Sequence, residues 1–462
     1  MNETKVNKPG EPIEGLPPGR RGMAALALAL GLMLAVLDAT MINVGLPSIA
    51  ESLNESASTV VWVVNAYSLT VAMTLLPMAA IGERIGFKRL FRYGLITFVL
   101  AALASALAPN LPSLLISRIF QGLGGSAIMC LFGALVRHIY PPSLIGRGIG
   151  LNALTVAVSS VMGPSIGSFI LSIATWHWIF FFSVPMGLLT LLGVRYLPDV
   201  APLKSRFDWQ AAMLSMSTIG LFIVGIDYLM GATWHGIALI AIAGLIGVVL
   251  VRRSSKQAAP LVPVDLFRIP AMRYALAASA STFAGQMATL VSLPFYLQIT
   301  LERSQLSVGF LMAGWPAGAA VIALIAGRLS DRYSVALLCA IGAGSMALGL
   351  LGVVLMPASI SDAWLFAAML LSGIGFGFFQ TPNNRVLIGS APRHRAGALG
   401  GLQATTRVFS QTFGAAIVSL VFGLGLASGP MLGLVVAIFF SLIAVMVNIV
   451  RHYLAPHSKL GA

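Results

Sequence analysis

Fourteen apolar stretches follow one another through the chain, each close to the about 20 residues that a helix needs to cross a bilayer. They lie near 23–46, 59–81, 91–108, 113–136, 149–172, 176–196, 209–230, 235–252, 273–299, 307–327, 334–356, 363–387, 398–426 and 430–453. Only short polar or Pro/Gly breaks separate them. Composition agrees: 58% of residues are hydrophobic and 9% are charged, whereas a soluble domain carries about 25% charged residues. The expected fold is an all-α polytopic membrane protein with 14 transmembrane helices. The first 22 residues are polar and the apolar run behind them is too long for a signal peptide, so it is expected to remain as an anchor.

Loop charge orients such a chain. With an even number of spans, both tails and every second loop share one side; that side holds 25 Lys and Arg residues, and the other holds only Arg303. Both termini are therefore expected in the cytoplasm, and the short loops fit a bacterial inner membrane. The net charge of +14 follows from this asymmetry and calls for no nucleic acid partner.

An internal repeat divides the spans. Asp331 follows Glu83 by 248 residues, and the same offset carries Arg84 to Arg332, Arg147 to Arg395 and Met23 to Ala271. Two parallel six-helix halves, 23–196 and 273–453, are expected, with two extra helices in the linker 197–272 and cytoplasmic tails at 1–22 and 454–462. Parallel repeats of this kind are a transporter architecture, with the site between the halves near the midplane.

The loop after the second span carries Ala79, Ile81, Glu83, Arg84, Gly86, Lys88 and Arg89, and its repeat carries Gly327, Leu329, Asp331 and Arg332 followed by Ser334. These residues resemble the loop motif G-x-L-x-D-R-x-G-x-K/R of the major facilitator superfamily, specifically its fourteen-helix drug:proton antiporter family. Ala79 and Glu83 stand where the family has Gly and Asp, and Ser334 where the repeat would have its second Gly. The fourth span reads SRIFQGLGGS (Ser117 to Ser126), similar to the family's R-x-x-Q-G-x-G. The fifth carries Gly163, Pro164 and Gly167, resembling the exporter motif G-P-x-x-G-G with Ser168 in place of the last Gly. The runs LDATMINVGLP, WVVNAYSL and TPNNR extend the likeness over both halves. The resemblance implies a proton-coupled exporter, a gating role for the loop residues and a proton-relay role for Arg118. Physically, an acid beside Arg at a helix end can tie neighbouring helices by charge-assisted hydrogen bonds that break when the halves rock.

Only two acids, Asp38 and Asp227, fall inside the expected spans. An ionisable group at that depth is costly and marks function by default. Asp38 lies about 13 Å below the outer end of the first span and Arg118 about 9 Å below that of the fourth, taking 1.5 Å per residue. Burial raises a carboxylate's proton affinity and a neighbouring cation lowers it. A site balanced between the two binds a proton or a cationic drug but not both, as exchange requires. Arg407 has no acid in its own half, which leaves Asp38, carbonyls or cavity water as partners and leaves both a functional and a structural role open. Asp227, beside Tyr228 and Trp234, has an interfacial setting and is expected outside the coupling machinery.

Trp62, Asn65, Tyr67, Gln286, Met287, Phe376, Phe379, Gln380 and Asn383 are candidates for a cavity wall, in which aromatic faces would hold flat cations and Met would adapt to varied shapes. Cys130 and Cys339 sit in apolar stretches, and no P-loop, HExxH or GxSxG run occurs, so neither a metal site nor nucleotide-driven chemistry is expected. The expected function is non-enzymatic: multidrug efflux of lipophilic cations by a monomer that needs no cofactor beyond the proton gradient. A metabolite or siderophore exporter is the alternative.

Overall fold

The structure, a computed structural model, describes residues 15–141, 144–200, 207–257, 266–267, 269–330, 332–357, 359–390 and 396–454. Among them are sixteen α-helices and no strand. The helices are α1 (Pro18–Leu53), α2 (Ala57–Val60), α3 (Trp62–Ile85), α4 (Phe87–Ala106), α5 (Leu111–Cys130), α6 (Phe132–Ile139), α7 (Ile145–Ile173) and α8 (His177–Gly193), then α9 (Trp209–Gly231) and α10 (Thr233–Ser254), and finally α11 (Pro270–Phe295), α12 (Gln305–Leu329), α13 (Val335–Val354), α14 (Asp362–Ser390), α15 (Ala396–Gly423) and α16 (Gly429–Leu454). Helices satisfy their backbone groups internally, which the bilayer interior demands. Their ends are set locally. Asn110 Oδ1 caps α5 through the Ser113 amide at 3.0 Å, and Asp208 Oδ1 caps α9 through the Ala211 amide at 2.9 Å. Gly86, at φ 96°, makes the reversal between α3 and α4 in a region that other residues rarely enter.

Twelve helices among the described residues are long and apolar enough to cross a membrane, against the fourteen spans expected from the sequence. Helices α7 and α15 make the difference. The described apolar part of α7 is short, Val158–Ile173. In α15, Gln403, Thr405, Thr406, Arg407, Ser410, Gln411 and Thr412 interrupt the apolar residues. The first helix also runs beyond its expected end near residue 46, continuing through Pro47 to Leu53.

Adding 248 to the bounds of α4 gives those of α13, Val335–Val354. The same shift takes α1 to α11, α3 to α12, the α5–α6 pair to α14, α7 to α15 and α8 to α16, within a few residues at each start. Packing repeats with it. Helix α1 packs on α7 and α8 as α11 does on α15 and α16; α5 packs on α3 and α4 as α14 does on α12 and α13; and α4 packs on α8 as α13 does on α16. Close approach is built in at equivalent places. A Cβ on Gly94 would lie 2.6 Å from Ala127 Cβ, and one on Gly342, 248 residues later, would lie 2.7 Å from the Gly375 carbonyl oxygen. Without side chains there, the helix pairs α4–α5 and α13–α14 come together.

The two groups of six meet through α7 on α12 and α3 on α15, two contacts that the repeat exchanges for one another, and through α1 on α11, which it maps onto itself. This is the pattern of a pseudo-twofold axis between parallel repeats. Helices α9 and α10 pack on each other, and α9 also touches α3 and α15. One apolar cluster crosses between the groups, joining Ile42, Leu46 and Ile49 of α1 to Val291 and Phe295 of α11. Hydrogen bonds add to it: Gln305 Nε2 donates to Ser48 Oγ at 3.0 Å and Ser419 Oγ to the Ser58 carbonyl at 2.9 Å. Both lie at the ends expected to face outside.

Candidate functional site

Asp38, in the middle of α1, is fully enclosed, and so is Arg118 of α5. Arg118 Nη1 donates to Asp38 Oδ2 at 2.6 Å. The other carboxylate oxygen accepts from Gln121 Nε2 at 2.8 Å and from Ser183 Oγ of α8 at 3.4 Å. Arg118 also donates from Nη1 to Gln121 Oε1 at 2.8 Å and from Nε to the Val63 carbonyl of α3 at 3.0 Å. Its guanidinium lies 4.5 Å from the Tyr67 ring centroid and 5.6 Å from that of Phe180. One ion pair thus joins α1, α3, α5 and α8. Three buried polar groups at or near it have no partner among the described residues: Arg118 Nη2, Tyr67 Oη and both side-chain heteroatoms of Asn65.

The local sequence explains this geometry. Arg118 and Gln121 stand three residues apart, so both reach one face of α5. The next glycines clear space for neighbours: a Cβ on Gly122 would lie 2.7 Å from the Tyr67 carbonyl oxygen and one on Gly125 would lie 2.6 Å from Tyr67 Oη. The sequence pointed to Asp38 and Arg118 but not to Gln121, Ser183 or the Val63 carbonyl as their partners. The spacing of Arg118 and Gln121 was the available signal for Gln121; nothing local marks the other two.

Asp227 does more than its interfacial setting suggested. Its Oδ1 accepts from Trp62 Nε1 of α3 at 2.8 Å and lies 3.5 Å from Ser419 Oγ of α15. One carboxylate on α9 therefore touches both six-helix groups, and Trp62 is its donor rather than a free wall residue.

Arg407 is half-buried on α15 and makes no hydrogen bond or ion pair among the described residues. One turn further along, Gln411 Nε2 donates to Gln286 Oε1 of α11 at 3.1 Å. A further arginine, Arg451, counted from the sequence among the cytoplasmic loop and tail cations, lies in the last turn of α16. It is buried in α16 and donates to Asn383 Oδ1 at 3.0 Å. Asn383 in turn donates to the Ala275 carbonyl at 3.0 Å and to Ser279 Oγ at 2.7 Å.

The loop motif is only partly assembled. Lys88 pairs with Asp199 at 3.0 Å, and Arg84 bonds the Ala80 carbonyl and lies over the Phe207 ring. Glu83 and Arg89 are exposed, as is Arg332, and Asp331 lies outside the described residues. In the exporter motif, Gly163 faces Thr40 and Gly167 faces Met41 of α1, while Ser168 and the Pro164 carbonyl face Gly309 of α12. Those small residues bring α7 against both groups at once. Of the other wall candidates, Met287 and Phe376 are in the apolar core and Phe379 packs beside Cys339; Gln286 and Gln380 remain half-buried.

A bundle of apolar helices repeated about a pseudo-twofold axis, with a carboxylate–guanidinium pair enclosed within its first six-helix group, has the architecture of a multi-pass membrane transporter. The family model for the Major Facilitator Superfamily matches residues 28–415, and the chain belongs to that family, whose members are transporters and not enzymes. It is 40% identical to the uncharacterized transporter YebQ of Escherichia coli (strain K12) over 95% of this chain and 97% of that one. It is 28% identical to the riboflavin transporter RibZ of Clostridioides difficile (strain 630), over 87% of this chain and 88% of RibZ. Identity is also 28% to the multidrug efflux pump LfrA of Mycolicibacterium smegmatis (strain ATCC 700084 / mc(2)155), over 89% of this chain and 83% of LfrA. The crystal structure of a POT family transporter in complex with a thioalcohol-conjugated peptide shares the fold, with a TM-score of 0.72 and 16% identity over 96% of this chain and 98% of that one.

Proposed function

We propose that this transporter is a secondary active multidrug exporter that exchanges inward-moving protons for lipophilic compounds, cations included, by alternating access. In this reading the halves 23–196 and 273–453 rock against each other, and α7 and α15, 29 and 28 residues long, complete fourteen spans with α9 and α10 as the inserted pair. Both termini face the cytoplasm of a bacterial inner membrane, the chain works as a monomer, and the proton gradient supplies the energy without a cofactor. Glu83, Arg84, Lys88 and Arg89, with Asp331 and Arg332, gate the cytoplasmic side.

The observation that carries the reading is the enclosed Asp38–Arg118 pair. A proton on Asp38 removes the counter-charge of Arg118 and leaves a buried cation unpaired, which is strongly unfavourable. Four helices must then rearrange, because each contributes an atom to the pair. A lipophilic cation that reaches the same carboxylate replaces Arg118 as its counter-charge. Proton and cationic cargo therefore exclude one another there, and deprotonation on the cytoplasmic side resets the cycle.

The name of LfrA supports the multidrug reading; the equal identity to RibZ favours, as the second reading, the same coupling with a metabolite as cargo. A susceptibility panel on cells with and without the chain tests the choice. Lower inhibitory concentrations for several unrelated lipophilic drugs in the deletion strain are expected. A deletion strain with unchanged drug tolerance and a growth defect in drug-free medium contradicts the multidrug reading.

A further inference from the structure

We propose that the wall formed by α11 and α15 carries a subsite for a negatively charged group of the cargo, a carboxylate above all, with Arg407 as its charged anchor. The proposal rests on the export reading and adds a charge class to the compounds exported: amphipathic molecules bearing a carboxylate. Arg407 stands eleven residues beyond the start of α15 at Ala396, about 16 Å along the helix at 1.5 Å per residue. At that depth an ionised guanidinium is costly unless it meets a counter-charge or water. Yet among the described residues it has no partner.

Its surroundings face inward. Gln411, one turn along the same face, hydrogen-bonds Gln286 of α11, so this face of α15 is turned toward another helix and away from lipid. The Arg407 side chain is nevertheless only half-buried, as are Gln411 and Gln286. The three side chains thus keep accessible surface on a face turned toward a neighbouring helix, with one full charge and two amides on it.

Charge balance decides which ligand suits that wall. Asp38 is enclosed and occupied at both oxygens by Arg118 and Gln121. Asp227 is engaged by Trp62 near the far end of α3, and Arg451 is held by Asn383. No buried acid in the described helices is left for Arg407: Asp362 pairs with Arg303, and Glu51 and Glu83 are exposed near the ends of α1 and α3. A cation approaching it meets only repulsion, whereas a carboxylate meets a planar donor fork of matching geometry. The Gln411–Gln286 amides offer further donors to an oxygen bound beside it.

The test uses the purified full-length protein in detergent, with tryptophan quenching as the readout and three probes of one ring system: 2-naphthoate, its methyl ester and 2-naphthyltrimethylammonium. The wild type is expected to bind the carboxylate at least about tenfold more tightly than the ester, a difference of about 1.4 kcal/mol. Arg407→Gln should remove that preference while leaving ester binding in place, and Arg407→Lys should restore part of it. Equal binding of carboxylate and ester by the wild type overturns the proposal, as does a preference that survives in Arg407→Gln. If Arg407→Gln does not fold, the wild-type preference and its weakening in Arg407→Lys decide. No proton gradient is involved, so a failure of drug–proton exchange in vesicles would remove the export reading and leave this measurement standing.

Discussion

Asp38 answers to three side chains at once, and each removal has a different consequence. Replacing Gln121 by Ala strips Oδ1 of its 2.8 Å donor and leaves only the 3.4 Å contact with Ser183. Leaving a buried acceptor so poorly satisfied costs about 1–3 kcal/mol, so Gln121→Ala should lower the thermal unfolding temperature of the purified protein. An unchanged midpoint would mean that water takes over the bond. Arg118→Ala is more severe, because it leaves a buried carboxylate without its counter-charge, at about 3–5 kcal/mol; a low yield of folded protein is expected, read by size-exclusion chromatography of the purified sample. Asp38 and Arg118 were legible in the sequence because charged residues at membrane depth are so few. Their partners were not, since Ser183 and the Val63 carbonyl come from helices that only the tertiary fold brings near.

Helix α9 gains a purpose from Asp227, whose acceptor oxygen ties α3 and lies beside Ser419 of α15. Trp62→Phe keeps the ring and removes the donor. It should loosen the seam between the two groups, so that a cysteine placed at Ser58 reacts several-fold faster with a maleimide in the purified protein; an unchanged rate would make the bond incidental. At the other end of α9, the Ala211 amide, helped by Gln257 and Arg253 and opposed by slight burial, holds the Asp208 carboxyl below the usual aspartate range. A lowered value means that its stabilisation is present above the unfolded value of about 3.9 and is lost as the pH falls through the folded one. Wild type should therefore exceed Asp208→Asn in thermal stability at neutral pH, and the gap should close in acid. Helix positions were readable from hydropathy, and the offset of 248 foretold their repetition. Helix α15, expected as a span, carries polar side chains among its apolar ones, and Gln411 turns toward Gln286 of α11; average hydropathy cannot register such direction. For the same reason Trp62 and Asn383 were taken for wall residues although the fold uses both as ties between helices.

As a whole, the molecule ties its two groups at one end through the apolar seam of α1 and α11, the Ser48–Gln305 and Ser58–Ser419 bonds and the Asp227 tie, while Val408 of α15 packs into the first group's core further along. Opening that end requires these contacts to break together, while the Asp38–Arg118 pair sits deeper, where α1, α3, α5 and α8 meet. In this account the pair is the element that senses the proton and the seam is the element that moves, which is a two-state arrangement biased by one charge. On the alternating-access reading proposed above, α7 on α12 and α3 on α15 are the equivalent contacts that exchange roles. The most direct measurement follows luminal pH in inverted membrane vesicles as ethidium is added to an established proton gradient. Wild-type vesicles should lose the gradient in proportion to the ethidium added, and Asp38→Asn vesicles should hold it. An Asp38→Asn protein that exchanges ethidium for protons at the wild-type rate would contradict the account.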